Sequence, residues 1–337
     1  MENNNNNKVF IIAELSANHN HDFELAKRTI KAMAESGADA VKVQTYTPDS
    51  LVMDCDNEYF GPIPTGLWKG IKRYDLYKEG AMPYEWQPLL KDYAESLGLV
   101  FFSTPFDLEG VDFLEGMNIP IYKVASFEIN DIPLIKKIAQ QHKPVIMSTG
   151  VAGLDDIELA INTCRKEGVF DITLLKCTSE YPAPYEHVNL MTIPDMKQRF
   201  GVKVGLSDHT MGSVVPVAAI ALGATVIEKH FILSRSQGGP DSTFSMEPEE
   251  FKTMVDEIRI VEKSLGDVTY ELDDVKKGKR RALYATKDIA EGELFSKDNI
   301  RSFRPSAGLS PKYFEELLGK PSKRAIKRGD PLQEIDL

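Results

Sequence analysis

The chain has 337 residues, 42% of them hydrophobic and 27% charged, with a net charge of −11. This is the composition of a globular protein with a sizeable core, and its negative balance argues against nucleic acid or an anionic membrane as partner. No apolar run approaches the roughly 20 residues of a bilayer span. The start, MENNNNNKVF, lacks a secretory pattern, and Cys55, Cys164 and Cys177 form no CxxC pair, so a cytoplasmic protein without disulfides or a cysteine zinc site is expected.

Residues 1–7 read as a disordered lead-in. From residue 8 to 265, strand-like runs alternate with helical patterns: KVFIIAEL, DAVKVQTY, LVFFSTP, IPIYKVAS, KPVIMSTG, DITLLKCT, VKVGLSDH and ATVIEKHF. The runs are β-branched and apolar on both faces, as in a buried parallel sheet, and several intervening helices close with glycine. Eight strand-then-helix units predict an α/β fold, a TIM (β/α)8 barrel. The alternative, an open doubly wound sheet, lacks a GxGxxG after its first strand.

A barrel carries its chemistry at the C-terminal ends of its strands. In chain order those ends offer Glu14, then Lys42 and Gln44, Ser103 and Thr104, and Lys123, Ser126 and Glu128. They continue with Ser148 and Thr149, then Thr178, Ser179 and Tyr181, then Ser207, Asp208 and His209, and finally Glu228, Lys229 and His230. A histidine at one strand end is usually a satisfied structural residue. His209 and His230, ending adjacent strands about one strand spacing apart and flanked by Asp208 and Glu228, suit a shared labile Mn²⁺ or Mg²⁺ better than a structural zinc. Lys42, Lys123, Ser103, Thr104, Ser126, Ser148 and Ser207 form a ring of donors for a small polyanion bearing phosphate and carboxylate.

After Gly266 the pattern changes: residues 266–278 read as a charged linker and residues 279–337 as a small domain of short strands and turns with one short helix. From Lys276 onward there are 15 Lys+Arg against 9 Asp+Glu, so a basic tail follows an acidic body. Such a tail suits covering an anionic ligand, with Arg304 the residue chosen to reach a site; a solvated basic face explains the charge equally well.

IIAELSANHN, VKVQTY, FFSTPFD, YKVASFE, CTSEYPAP, GLSDHT, EKHF and GPDSTFS occur in the order, and nearly over the length, of the sialic acid synthases and their nonulosonate relatives, which the chain resembles. The tail resembles that family's antifreeze-like (SAF) domain. The resemblance implies condensation of phosphoenolpyruvate with an amino sugar, with a divalent metal and release of phosphate. It implies His209 and His230 as metal ligands, with Gln44 and Glu228 orienting metal-bound waters. It implies Lys42 on the phosphoenolpyruvate carboxylate, and Thr104, Lys123, Ser126, Ser148 and Ser207 on its phosphate, with Ser179 nearby. Tyr181 and Asp241 would contact the sugar, and Arg304 would reach it from a partner subunit of a homodimer. Glu14 and Glu128 are candidates to manage the attacking water and its protons, Glu14 in the larger role.

Three stretches depart from the usual sialic pattern: AELSANHN in place of AE[IA]GVNHNG, Ser179 in place of asparagine, and GLWKGIKRYDLYKEGAMPYEW. These features resemble the pseudaminic acid branch, which uses a 6-deoxy diacetamido altrose, and aromatics such as Trp68 and Tyr77 would suit its methyl group. The sialic and legionaminic branches are the alternatives. A metal-dependent aldolase or isomerase would need neither the phosphate ring nor the tail, and a silent sugar-binding protein would not need the ionisable rim.

Overall fold

The computed structural model describes residues 8–337; the asparagine-rich lead-in lies outside the described residues. Two compact units meet between Gly266 and Asp267. In the first, eight parallel strands close into a barrel in sequential order: β1 (Phe10–Glu14), β2 (Ala40–Thr45), β3 (Val100–Pro105), β4 (Tyr122–Val124), β5 (Val145–Ser148), β6 (Ile172–Cys177), β7 (Lys203–Asp208) and β8 (Val226–His230). All eight expected strands are present. Short βα turns lead into capped helices: Asp22 accepts from the Leu25 amide at 2.9 Å and Asp131 from that of Leu134 at 3.1 Å, which satisfies first-turn N–H groups. Among the described residues no helix is long and apolar enough to cross a membrane.

The two-residue period of a strand decides which side chains enter the barrel. Ile12, Ala40, Phe102, Ile146, Leu175 and Val226 form a dry cluster inside. The larger core lies between the sheet and its helices, where Ile11, Val41, Phe101, Met147, Leu174 and Ile227 pack. Two residues further along the same strands, in phase with the inner cluster, stand Glu14, Lys42, Thr104, Ser148, Cys177 and Glu228. Register places Glu14 beside both Lys42 and His230, and Ser207 beside Glu228.

The second unit, Asp267–Leu337, pairs β9 (Ala282–Ala285) with antiparallel β10 (Ile300–Phe303) around Leu283, Phe295, Ile300, Leu317 and Leu332. Asp336, almost fully buried, accepts two hydrogen bonds from the Arg324 guanidinium at 3.0 and 2.9 Å, which anchors the end of the chain. The segment expected to be a linker contains a short helix, Asp274–Gly278, capped by Asp273.

Gly205 of β7 has no room for a side chain: a Cβ there would stand 2.4 Å from the Val226 carbonyl oxygen and 2.7 Å from Leu175 Cδ2. Gly205→Ala is therefore expected to destabilise the barrel by roughly 1–3 kcal/mol through overpacking. A melting temperature measured by circular dichroism should fall by several degrees; an unchanged one would refute this account of β7–β8 packing.

Candidate active site

A cavity of about 320 Å³ opens at the C-terminal ends of the strands, and every residue lining it belongs to the barrel unit. Of the candidates drawn from the sequence, Glu14, Lys42, Gln44, Thr104, Lys123, Ser126, Glu128, Ser148, Tyr181, Ser207, His209, Glu228, His230 and Asp241 line it. Ser179 stands one layer behind, donating to Ser126 Oγ at 3.0 Å. Arg304 lies in the second unit, exposed, just after β10.

Besides Lys229, three rim residues face the other way, as strand parity requires. Asp208 points into the outer layer, where it pairs with the Lys229 ammonium and accepts from Thr210 at 3.0 Å, so it does not flank the histidines. Ser103 bonds Thr45 Oγ1 at 2.6 Å and the Val43 carbonyl at 3.0 Å. Thr149 donates to the Leu175 carbonyl at 3.1 Å. None of the three joins the donor ring.

The cavity floor is a buried charge network. Lys42 Nζ lies 2.6 Å from Glu14 Oε1 and 3.7 Å from Glu228 Oε1, and Lys123 Nζ lies 3.9 Å from the same Glu228 oxygen. Lys123 also donates to Ser148 Oγ at 2.7 Å and the Val124 carbonyl at 2.9 Å, while Ser207 donates to Glu228 at 3.1 Å. Burial opposes charge on Glu14, yet Lys42, with His230 and Lys123, holds its carboxyl below the usual range. Lys42 is raised, because Glu14 and Glu228 outweigh its burial. Burial dominates at Lys123 and lowers it despite Glu228. Two ammonium groups among the hydroxyls of Thr104, Ser148 and Ser207 offer a buried set of donors to an anion. Beside it Gly150 leaves a recess: a Cβ there would lie 2.3 Å from Ser179 Oγ and 2.7 Å from Ser126 Oγ.

The two histidine ring centres stand 5.4 Å apart, and the Tyr181 ring centre lies 4.3 Å from that of His209 and 6.4 Å from that of His230. His209 Nδ1 donates to the Thr178 carbonyl at 2.8 Å, which leaves Nε2 with its lone pair. Among the described residues His230 Nδ1 is buried without a hydrogen-bond partner, 3.8 Å from Asp241 Oδ2, and its Nε2 lies 3.5 Å from Glu14 Oε2. No group of three or more His, Cys, Asp and Glu side chains suited to a metal occurs among the described residues. Two imidazole nitrogens, one of them orphaned, fit a cation that takes its remaining ligands from water and substrate rather than a closed structural site.

Sequence reasoning missed several lining residues. Ser16, Tyr46 and Cys177 belong to motifs already singled out, and counting strand parity from Leu175 would have placed Cys177 inside. Leu51, Ile63, Arg73 and Leu76 come from the long excursion after β2, together with Trp68 and Tyr77, and carry no periodic signal. Trp68 donates to the Pro240 carbonyl at 2.9 Å and Arg73 to that of Gly61 at 3.1 Å, so the excursion folds over the cavity as a wall. His19, fully buried, donates from Nε2 to the Gly80 carbonyl at 3.2 Å while Nδ1 accepts from the His21 amide, which ties the turn after β1 to this wall. Burial lowers His19 to about 4, in keeping with its neutral form.

Residues 29–270 match the NeuB family and residues 280–337 the SAF domain. The chain is 48% identical to the pseudaminic acid synthase of Campylobacter jejuni, over 99% of this chain and 98% of that one. It is 44% identical to the pseudaminic acid synthase of Helicobacter pylori, over 97% of each. Among solved structures, the N-acetylneuraminic acid (sialic acid) synthetase of Leptospira borgpetersenii, in complex with citrate, superposes with a TM-score of 0.72 at 32% identity, covering 80% of this chain and 89% of that one. The chain belongs to the NeuB family, the sialic acid synthase family its motifs resemble, and carries that family's barrel followed by an SAF domain.

Glu128, on the turn after β4, is mostly buried beside the cavity, with Oε2 lacking a hydrogen-bond partner. Burial pushes its carboxyl from the ordinary 4.5 up to about 7, against the pull of Lys123. Between those values the folded protein holds a proton that the unfolded chain has lost, so this group's contribution to stability falls as pH rises through the window and is constant above it. Glu128→Gln is therefore expected to melt higher than the parent at pH 7.5, with the advantage shrinking towards pH 4.5. Equal differences at the two pH values would contradict a buried, proton-holding carboxyl.

Proposed function

We propose that this chain condenses phosphoenolpyruvate with 2,4-diacetamido-2,4,6-trideoxy-L-altrose to give pseudaminic acid and phosphate. The observation that carries the reading is the pair of buried lysines in a ring of hydroxyls, next to two histidines, in a chain nearly half identical to pseudaminic acid synthases throughout its length. An apolar wall of Leu51, Ile63, Trp68 and Leu76 suits a sugar that ends in a methyl group.

In this reading Lys42 holds the carboxylate of phosphoenolpyruvate. Lys123, Thr104, Ser126, Ser148 and Ser207 hold its phosphate, with Ser179 supporting Ser126. Tyr181 and Asp241 contact the sugar, and Arg304 reaches it from the partner subunit of a homodimer. His209 and His230 would hold a divalent cation, Mn²⁺ or Mg²⁺, with Gln44 and Glu228 facing its waters; such an ion supplies a Lewis acid for the aldehyde of the open-chain sugar. The methylene carbon of phosphoenolpyruvate forms the new C–C bond to the aldehyde carbon, whose oxygen takes up a proton. Water adds to the carbon bearing the phosphate, and that centre becomes the product ketone as its C–O bond to phosphate breaks. Glu14, ionised against Lys42, is placed to accept the proton of that water; Glu128, with a carboxyl near neutrality, is placed to exchange one.

The decisive experiment is phosphate release from phosphoenolpyruvate and Mn²⁺ with the altrose sugar, its mannose-series counterparts or N-acetylmannosamine. Release confined to the altrose sugar supports the proposal. Release confined to a mannose-series diacetamido sugar would make this a legionaminic acid synthase, and release only with N-acetylmannosamine a sialic acid synthase. Chelation with EDTA should abolish release, and added Mn²⁺ should restore it. Glu14→Gln is expected to lower turnover by roughly 10²–10⁴-fold while phosphoenolpyruvate binding, measured by calorimetry, stays nearly intact; unchanged turnover removes Glu14 from the chemistry. Co-expression of Arg304→Ala with Glu14→Gln tests the shared site. If Arg304 serves its partner, mixed dimers each regain one complete site, and activity returns to roughly a quarter of the parent's. No recovery would place Arg304 on its own barrel, and an Arg304→Ala variant that is fully active by itself would place it outside the site.

A further inference from the structure

We propose that Ser16 is a positioning residue that sets which amino sugar the cavity accepts, an inference that rests on the reading of the site given above. Ser16 lies in the turn after β1 with φ of 47°, in the left-handed region where glycine is the default residue. It is 3% exposed, so a side chain is kept where the backbone conformation disfavours one. The contacts of its hydroxyl show what the side chain does. Ser16 Oγ donates to Asp241 Oδ2 and accepts from Gln44 Nε2 at 3.2 Å.

A serine hydroxyl has one proton and an ionised carboxylate has none, so the proton lies between Ser16 and Asp241. What Ser16 turns to Gln44 is a lone pair, and the group facing it must be the amide NH₂. The same Nε2 donates to Glu14 Oε1 at 3.0 Å. Two acceptors on one nitrogen fix the rotation of the Gln44 amide, and its carbonyl oxygen is left without a protein partner among the described residues. Asp241 is held in the same way. Its Oδ2 takes the Ser16 hydroxyl and, at 3.4 Å, the Ala17 amide, and among the described residues its Oδ1 has no hydrogen-bond partner.

Both side chains line the cavity. A ligand therefore meets two aimed acceptors, one neutral and one anionic, joined through a single hydroxyl. Such a pair selects for correctly placed donors, the acetamido N–H and hydroxyl groups of an amino sugar, and against sugars whose donors are displaced by altered stereochemistry. The phosphoenolpyruvate end, built on Lys42 and Lys123, shares neither acceptor.

The test uses Ser16→Gly and Ser16→Ala in the full-length chain, with phosphate release read for the altrose sugar and for N-acetylmannosamine. Ser16→Gly removes the hydroxyl and relieves the backbone, so it should melt no lower than the parent; Ser16→Ala removes the hydroxyl alone. Both are expected to raise the KM for the preferred sugar roughly 10-fold and to narrow the ratio of kcat/KM between the two sugars by a similar factor. The KM for phosphoenolpyruvate should stay within about 2-fold. Sugar-dependent release with KM and ratio unchanged in both variants would overturn the role of Ser16 alone. Release from the parent chain that is indifferent to sugar would overturn the reading of the site, and the inference with it.

Discussion

Lys42 and Glu14 sit side by side at 2.6 Å inside a closed barrel, each almost fully buried, and much of the site depends on that arrangement. An isolated ammonium or carboxylate there would lose its charge rather than its hydration. With Glu228 shared between Lys42 and Lys123, the floor of the cavity keeps its ions while facing space large enough for a small molecule. Among the described residues, Glu228 keeps one carboxylate oxygen without a partner, and so does His230 one ring nitrogen. In the proposed reaction an anionic substrate and a cation would bring opposite charges to this floor.

The barrel itself makes the floor feasible. Two residues below the ions, on the same strands, the interior is filled by the apolar side chains of Ile12, Phe102, Ile146 and Leu175. Helices cover the outer face of the sheet, and Asp208 with Lys229 settles its own charges there. The change from dry packing to chemistry occupies a single step of the pleat. Each strand is thus both a structural member and the mount for one or two reactive groups.

Much of this was legible in the sequence. Eight apolar runs ending in polar residues gave the barrel, and the residues at those ends gave the charged and hydroxyl-bearing floor of the cavity. Errors arose where adjacent residues at one strand end were both read as site residues. Ser103 with Thr104, Ser148 with Thr149, and Asp208 with His209 each contribute one member to the cavity, because consecutive side chains of a strand face opposite ways. The excursion after β2 was legible only as a departure from a known pattern. The direction in which Trp68 and Arg73 point is set by contacts to Pro240 and Gly61, partners that no local periodicity announces.

That excursion is tied to the barrel through side chains, among them the Trp68 indole on Pro240, the His19 ring on Gly80 and the His21 ring on Lys78, while the bridge between Pro62 and Lys72 lies within it. It contributes no strand to the closed sheet. In the proposed reading, the segment beside the sugar end is therefore distinct from the strands that carry the buried lysines. Substitutions in such a flap would reshape the mouth of the cavity and leave the strands beneath it in place.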